Sequence, residues 1–497
     1  MALIEAFKQL LGDAAVLVRE EDLAGLTEDW RGRYRAPALC AVLPSTTEQV
    51  AAIVRLCIDS GTPVLPQGGN TSLCGGATPT GQGKPPVIVA LTRMRRIRSI
   101  DPVNNTMVVD AGCVLTTIQE AAAAEGRLYP VSLGAEGSCQ IGGNIATNAG
   151  GTGVLRYGNT RDNVLGLEVV LPDGTIWDGL YALRKNNTGY DLKHLFIGSE
   201  GTLGIITGAV LKLHPLPTAE AVAWLAVDSP QQALDVLGLF QVSCNSRLSA
   251  FELMNAKQIQ LVLEQVPGRR CPVAQIDTWH VLVELSDTSD VQALTATMQA
   301  VLERALDVGL ISDGVVASSE AQRKAMWLVR HSVSEANKKA GVGLTSDSAV
   351  PVSAVPTFIA QAMTAVHAIV PDLPFVIVGH MGDGNVHLIP FFGFAEWDAL
   401  QDRDTVGERI RHAVNDVAAS LRGTFSAEHG VGRTLMEQMS RYKPPVELAL
   451  MRAVKQAFDP LGLFNPGQVL PPPSARADTP VAAPASSPSI ATSLKGN

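Results

Sequence analysis

Two stretches of the sequence carry the residue types that chemistry needs. Gly379-His380-Met381-Gly382-Asp383-Gly384-Asn385-Val386-His387 holds two histidines seven residues apart, and Ser426-Ala427-Glu428-His429-Gly430 sets a carboxylate beside a histidine. On one straight strand, residues seven apart face opposite sides, so His380 and His387 converge only if the chain turns between them. A turn at Gly382-Asp383-Gly384-Asn385, between strands at 375–378 and 388–389, would place the two imidazoles across from each other. Two neutral imidazoles near a turn suit a divalent transition metal. Glu428 offers a third donor, and three protein ligands leave the open position a catalytic site requires. A bland reading stands beside this one, because histidine pairs are common in cores and these donors lack the spacing of a short metal motif.

Glycine is dense from Val131 to Gly204 and in an earlier loop, Pro66-Gln67-Gly68-Gly69-Asn70-Thr71-Ser72-Leu73-Cys74-Gly75-Gly76. Two more glycine stretches follow, Gly142-Gly143-Asn144 to Asn148-Ala149-Gly150-Gly151 and Gly198-Ser199-Glu200-Gly201-Thr202-Leu203-Gly204. Successive backbone N–H groups in such loops make a concavity for phosphate that needs no lysine. Each loop alone reads as a turn; three together point to a nucleotide-like ligand. Neither Gly-x-Gly-x-x-Gly after a strand nor Gly-Lys followed by Ser or Thr is present, since Gly83-Lys84 runs into Pro85. A nicotinamide or ATP site of standard type is therefore not expected.

These groups need elements to position them. An apolar strand at 39–42, a helix opening on a Ser45/Glu48 capping box and ending near 59, and a strand at 63–65 make a strand–helix–strand start. A turn at Asn104-Asn105 leads into a strand at 107–109, an Ala-rich helix covers 116–125, and strand-like pieces lie at 167–171 and 204–207. After Pro215 the texture changes to longer helices (230–240, 291–308) alternating with strands such as 281–285. The expected division is a first domain at 1–215, a second at 216–440, a C-terminal segment at 441–470 with an amphipathic helix at 446–458, and a Pro-, Ala- and Ser-rich disordered tail at 471–497.

Composition bounds the function. Among 497 residues, 39 Lys and Arg face 48 Asp and Glu, a formal charge of −9, and the longest basic run, Arg93 to Arg98, is interrupted. A nucleic-acid partner is not expected from that balance. Seven cysteines without paired spacing read as reduced thiols, and no apolar run reaches the roughly 18 residues of a membrane helix. Acidic residues among the first 25 interrupt any signal-peptide core, which gives a cytoplasmic expectation.

The loop Pro66 to Gly76, the block Leu133-Gly134-Ala135-Glu136-Gly137-Ser138-Cys139-Gln140-Ile141-Gly142-Gly143-Asn144 with Ala146-Thr147-Asn148-Ala149-Gly150-Gly151, and Asn187-Thr188-Gly189-Tyr190-Asp191-Leu192 running to Gly204 resemble the FAD-binding flavoproteins of the vanillyl-alcohol-oxidase type. Within them the chain is similar to the D-2-hydroxyacid dehydrogenases, which oxidise D-2-hydroxyglutarate or D-lactate. The resemblance covers about 36 to 468 and implies an α+β fold: a two-subdomain FAD-binding domain with an α+β cap domain that carries substrate and metal. It implies FAD contacts from Pro66, Gln67, Gly68, Gly69, Asn70, Thr71, Ser72, Gly137, Ser138, Gly142, Asn144, Thr147, Ala149, Gly150, Gly201, Gly204, Ile205, Ile206 and Asn465. Some relatives tether FAD to a histidine in the first loop; none stands between Gly61 and Lys84, so non-covalent FAD is expected, with Cys74 a packing residue.

Matching His-x-Gly-Asp-Gly-Asn-x-His and Glu-His-Gly motifs imply that His380, His387 and Glu428 hold the metal, Zn²⁺ or another divalent transition ion, and that His429 is the general base. Arg330 matches the family's arginine for a substrate carboxylate, and on a continuous helix Ser334 would lie one turn further along the same face. Without the family, Arg330 reads as a solvated helical arginine. The match weakens at Thr345 and Ile389, where hydroxyglutarate-specific members carry lysine and asparagine. Losing a cation and an amide removes partners for a second carboxylate, so a monocarboxylic D-2-hydroxy acid such as D-lactate is expected to be at least as good a substrate. The electron acceptor leaves no short motif, so an electron-transfer flavoprotein and a quinone both stay open, and the resemblance implies a homodimer. Rival readings are an oxidase using O₂, a flavin subunit of a glycolate-oxidising complex, and a non-catalytic binding protein.

Overall fold

The computed structural model describes residues 2–472, so most of the 471–497 tail lies outside the described residues. In the N-terminal part, strands Cys40–Val42, Val87–Ala90 and Val64–Gln67 form a parallel sheet edged by Val16–Leu17. A second, antiparallel sheet orders Ile97–Asp101, Thr106–Asp110, Ile205–Lys212, Val164–Val170 and Ile176–Gly179. One apolar core joins both sheets, running from Phe7 through Leu213, and accepts Phe464 from the far end of the chain. Helix Pro445–Phe458 brings that end back: Leu463 O accepts from Val64 N and Val64 O from Asn465 N, each at 2.8 Å.

The helix after the first strand is Thr47–Asp59, and its cap is Thr46, whose hydroxyl accepts from Gln49 N, not Ser45 as the sequence suggested. Both residues are capping types, but Ser45 is engaged with the Gln49 side chain through its own N–H and hydroxyl.

The second part is a long antiparallel sheet ordered Asp313–Val316, Ala219–Val227, Trp279–Asp287, Leu248–Met254, Phe375–His380, Asn385–Phe392 and Val342–Gly343, with Ser348–Ala349 also on Asn385–Phe392. It is covered on both faces. Along Ala219–Val227, the odd-numbered residues Ala221, Ala223 and Leu225 enter one core, and the even-numbered Val222, Trp224 and Ala226 enter another. Such a strand loses the polar alternation of a half-exposed one and reads as a nearly continuous apolar run. Helices Glu320–His331 and Val333–Ala340 cover the even-numbered face. They are separate: Ser332 ends the first, its hydroxyl bonding Leu328 O at 2.6 Å and accepting from Arg269 Nε at 2.8 Å. Back-bonding of this kind bends helices, so the continuous helix expected through Ser334 is broken. No helix among the described residues is long and apolar enough to cross a membrane.

Candidate active site

The hairpin Phe375–His380/Asn385–Phe392 pairs Val378 with His387 and His380 with Asn385. His380 and His387 are therefore diagonal neighbours on one face, not directly opposite as the sequence suggested. Asn385 belongs to the strand, because the turn closes one residue earlier: Gly384 adopts φ +84° and Asp383 Oδ1 accepts from Asn385 N at 3.0 Å. A Cβ at Gly384 would meet Val350 O at 2.1 Å, so the turn demands glycine. The imidazole centroids stand 5.8 Å apart.

Glu428 reaches this face from a loop, its Oε1 3.4 Å from His387 Nε2. One donor atom each from His380, His387 and Glu428 lie within 4.8 Å of one another. Tetrahedral coordination at 2.0–2.2 Å needs donors roughly 3.3 Å apart, so a small inward adjustment accommodates a divalent ion. The outward nitrogens are already engaged: His380 Nδ1 is 2.7 Å from Glu252 Oε1, and His387 Nδ1 is 3.4 Å from Ser346 O. Second partners of this kind fix imidazole orientation in metal sites, so the residues present fit such an ion. Burial alone would raise the Glu428 carboxyl; His387, His380 and His429 reverse that and hold it at about 2.

Asp347 organises the loop that carries Glu428 and His429. Its Oδ2 accepts from the backbone N–H groups of Ala427, Glu428 and His429 at 3.0, 3.0 and 2.8 Å, and lies 3.5 Å from His429 Nδ1. The His429 ring stacks beside His387 at 5.6 Å, and burial, opposed by Asp347, keeps its imidazole below the ordinary value. Arg330 is mostly buried, with Nε donating to Glu252 Oε2 at 2.8 Å. Ser334 is exposed on the next helix and shares no hydrogen bond with Arg330.

The glycine loops gather beside this cluster. A Cβ at Gly69 would meet Ser138 O at 2.2 Å and one at Gly201 would meet Pro66 Cγ at 3.0 Å, so the first loop lies against the second and third. Gly142 presses on Ala111, whereas Gly137 and Gly143 face open space. Gln67 Oε1, Gln140 Oε1 and Asn144 Oδ1 are buried there without a donor among the described residues. Close backbone, open glycine and unpartnered acceptors fit FAD. Asn70 and the Gln67 amide nitrogen instead bind Gly25, Glu28, Leu26 and Ala77 carbonyls, and Thr147 bonds its own helix. Thr71, Ser72, Gly68 and Ser138 remain partly exposed or uncrowded along the same loops, while Ala149, Ile205, Ile206 and Gly204 are buried behind them. Asn465 donates to Gly76 O and Glu200 O, holding two loops together. Cys74 is buried, with its thiol donating to Gly430 O.

Contact between the two halves falls at the chemistry. A Cβ at Gly150 would lie 2.8 Å from Glu428 Oε2, so the second glycine loop abuts the Glu428 carboxylate. Glu200 accepts from Val431 N at 2.7 Å and Gly432 N at 2.9 Å, tying the third glycine loop to the segment after His429. Burial pushes the Glu200 carboxyl up to about 7.

Sequence reasoning missed Glu252, Asp347 and the clamping role of Glu200. Glu252 did leave a signal: it is the one charged residue in the wholly buried strand Leu248–Met254, where a carboxylate needs partners. Asp347 left none, since its partners lie some eighty residues on.

The chain matches the FAD binding domain family over residues 38–179 and the family of FAD linked oxidases, C-terminal domain, over 216–469. Mitochondrial D-2-hydroxyglutarate dehydrogenase of Arabidopsis thaliana is 36% identical, covering 94% of this chain and 81% of that one. D-2-hydroxyglutarate dehydrogenase of Xanthomonas citri pv. viticola is also 36% identical, covering 90% and 92%. Among solved structures, p-cresol methylhydroxylase with substrate bound superposes with a TM-score of 0.71 at 16% identity, covering 94% and 96%. Fold and glycine loops together define an FAD flavoprotein of the vanillyl-alcohol-oxidase type. The chain belongs to the FAD-linked D-2-hydroxyacid dehydrogenase family and is an FAD-dependent dehydrogenase.

Proposed function

We propose that the protein oxidises a monocarboxylic D-2-hydroxy acid of the D-lactate kind to the 2-oxo acid at least as efficiently as D-2-hydroxyglutarate, using a divalent ion, Zn²⁺ by donor set, at His380, His387 and Glu428. The observation that supports this reading is the close approach of Gly150, in the second glycine loop, to Glu428, beside His380 and His387. When bound, FAD supplies the two-electron acceptor and the ion a Lewis acid that lowers the hydroxyl pKa. Arg330 pairs with a substrate carboxylate through its terminal nitrogens, since Nε is held by Glu252. His429 takes the hydroxyl proton, and Asp347 orients its ring and fixes the backbone on which it stands.

The preference for a short acid is supported by strand register. Val342 pairs with Phe392 and Gly343 with Phe391, and Ser346 N donates to Leu388 O, so Thr345 comes opposite Ile389. Ile389 is two residues beyond His387 on the ligand face. In this reading a hydroxyl and an alkyl group, and no cation or amide, face the distal end of the substrate. Lys339 is engaged by Glu335 at 2.6 Å at the surface. A second reading is hydroxyglutarate as the preferred substrate, with Arg31, an exposed cation without an ion pair among the described residues, as the candidate partner of a distal carboxylate.

Anaerobic bleaching of the flavin with D-lactate, D-2-hydroxyglutarate and their L-enantiomers, before and after chelation and metal return, tests the assignment. D-acids should bleach it, chelation should abolish this, and metal should restore it. A kcat/KM ratio strongly favouring hydroxyglutarate, lost in Arg31→Met, would establish the second reading instead.

A further inference from the structure

We infer that Glu252 is a positioning residue that couples the metal ligand His380 to the substrate arginine Arg330. The inference rests on the active-site reading above and deepens it. Strand Leu248–Met254 sits beside Phe375–His380 in register, Glu252 opposite His380. The Glu252 carboxylate is 1% exposed, and its two oxygens are divided between two donors: Oε1 at 2.7 Å from His380 Nδ1 and Oε2 at 2.8 Å from Arg330 Nε.

Each contact fixes something different. Donation from His380 Nδ1 leaves Nε2 with its lone pair for coordination. Donation from Arg330 Nε leaves the terminal edge of the guanidinium for a planar acid. Because both contacts use one rigid carboxylate on one strand, the ligand pole and the carboxylate-binding pole of the cleft are held at a set separation. A glutamine cannot reproduce this, since it has one acceptor where two donors arrive.

Helix Glu320–His331 meets the sheet through two further glutamates. Arg323 is 3.8 Å from Glu220, and Trp327 Nε1 donates to Glu284 Oε2 at 2.7 Å. These fasten the same helix face but touch no metal ligand. Glu284 therefore provides an internal comparison: it anchors the helix as Glu252 does, without the link to His380.

The test uses the FAD-loaded protein and Zn²⁺ in competition with a chromophoric chelator, comparing wild type with Glu252→Gln, Glu252→Asp and Glu284→Gln. Both Glu252 variants should lose about 10- to 100-fold in Zn²⁺ affinity, the usual worth of such outer partners. At saturating Zn²⁺ their KM should rise by a larger factor than kcat falls, and Glu284→Gln should bind Zn²⁺ as wild type does. Should Glu252→Gln fail to fold, Glu252→Asp, which keeps the charge and withdraws it by one methylene, gives the same readout. Wild-type affinity in the Glu252 variants overturns the inference alone, as does an equal loss in Glu284→Gln, which would mean general packing. Failure of the wild type to take up Zn²⁺ overturns this inference together with the metal reading.

Discussion

Replacing Asp347 by asparagine tests how far Glu428 and His429 depend on the carboxylate that holds their backbone. In the structure Asp347 Oδ2 collects the N–H groups of Ala427, Glu428 and His429 within 3.0 Å. Hydrogen bonds to a buried charge contribute about 1.5–3 kcal/mol each against about 0.5–1.5 for neutral ones. An amide oxygen keeps the three contacts but not the charge, and the weakening amounts to roughly 2–4 kcal/mol after allowance for shared geometry. If that energy holds the loop in its reactive arrangement, flavin reduction in Asp347→Asn should slow by about 30- to 1000-fold, since each 1.36 kcal/mol is tenfold. The cofactor loops make no contact with Asp347 through these bonds, so FAD content should stay stoichiometric. The assay is anaerobic stopped-flow absorbance of the flavin band, with bound metal measured on the same sample. Reduction within threefold of wild type, at full metal content, would refute the reasoning.

Three further outcomes are expected. His429→Ala should keep FAD and metal yet reduce its flavin roughly 10²-fold or more slowly, as loss of an acid–base group does; near-native stopped-flow rates would reject the assignment. Glu200, with its folded pKa raised by burial from 4.5 to about 7, favours the folded state most fully below 4.5 and loses that contribution as pH rises through 7, on the order of 3 kcal/mol in all; thermal unfolding should therefore show Glu200→Gln to be less sensitive to the change from pH 6 to pH 8 than wild type, and equal sensitivity would show that burial does not raise this carboxyl. Thr345→Lys should shift the kcat/KM ratio toward D-2-hydroxyglutarate by up to roughly fivefold, the worth of a part-exposed ion pair of about 1 kcal/mol, and an unchanged ratio would show that the residue does not meet the distal carboxylate.

What the sequence disclosed and what it hid divide along sequence distance. The hairpin strands, the glycine loops and the shift in texture after Pro215 are local patterns, set by side-chain alternation and backbone freedom, and they are legible without coordinates. Boundaries were less legible wherever two neighbouring residues competed for one role: Ser45 against Thr46 for the cap, and Asn385 as turn or strand. Ser332 shows a third case, where a tertiary partner, Arg269, engages the hydroxyl whose back-bond ends a helix that local propensity would continue.

The site itself is mostly non-local. Glu252 finds His380 and Arg330 because two strands and a helix pack as they do, and Asp347 finds the loop of Glu428 and His429 by a bridge to Ser426. Buried carboxylates are costly unless donors meet them: Glu252 meets one at each oxygen and Asp347 meets three at Oδ2, while Asp347 Oδ1 has no hydrogen-bond partner among the described residues. Their presence therefore constrains the fold as well as the chemistry: the sheet must deliver His380 to Glu252 and the loop must deliver three N–H groups to Asp347. That requirement links the two halves of the cleft, because the loop held by Asp347 is also the one that Glu200 grips from the cofactor side through Val431 and Gly432. A shift of the second half relative to the glycine loops would strand Glu200 and misplace His429 in the same motion, so stability of this contact and the proposed role of His429 as base depend on one segment, Glu428 to Gly432.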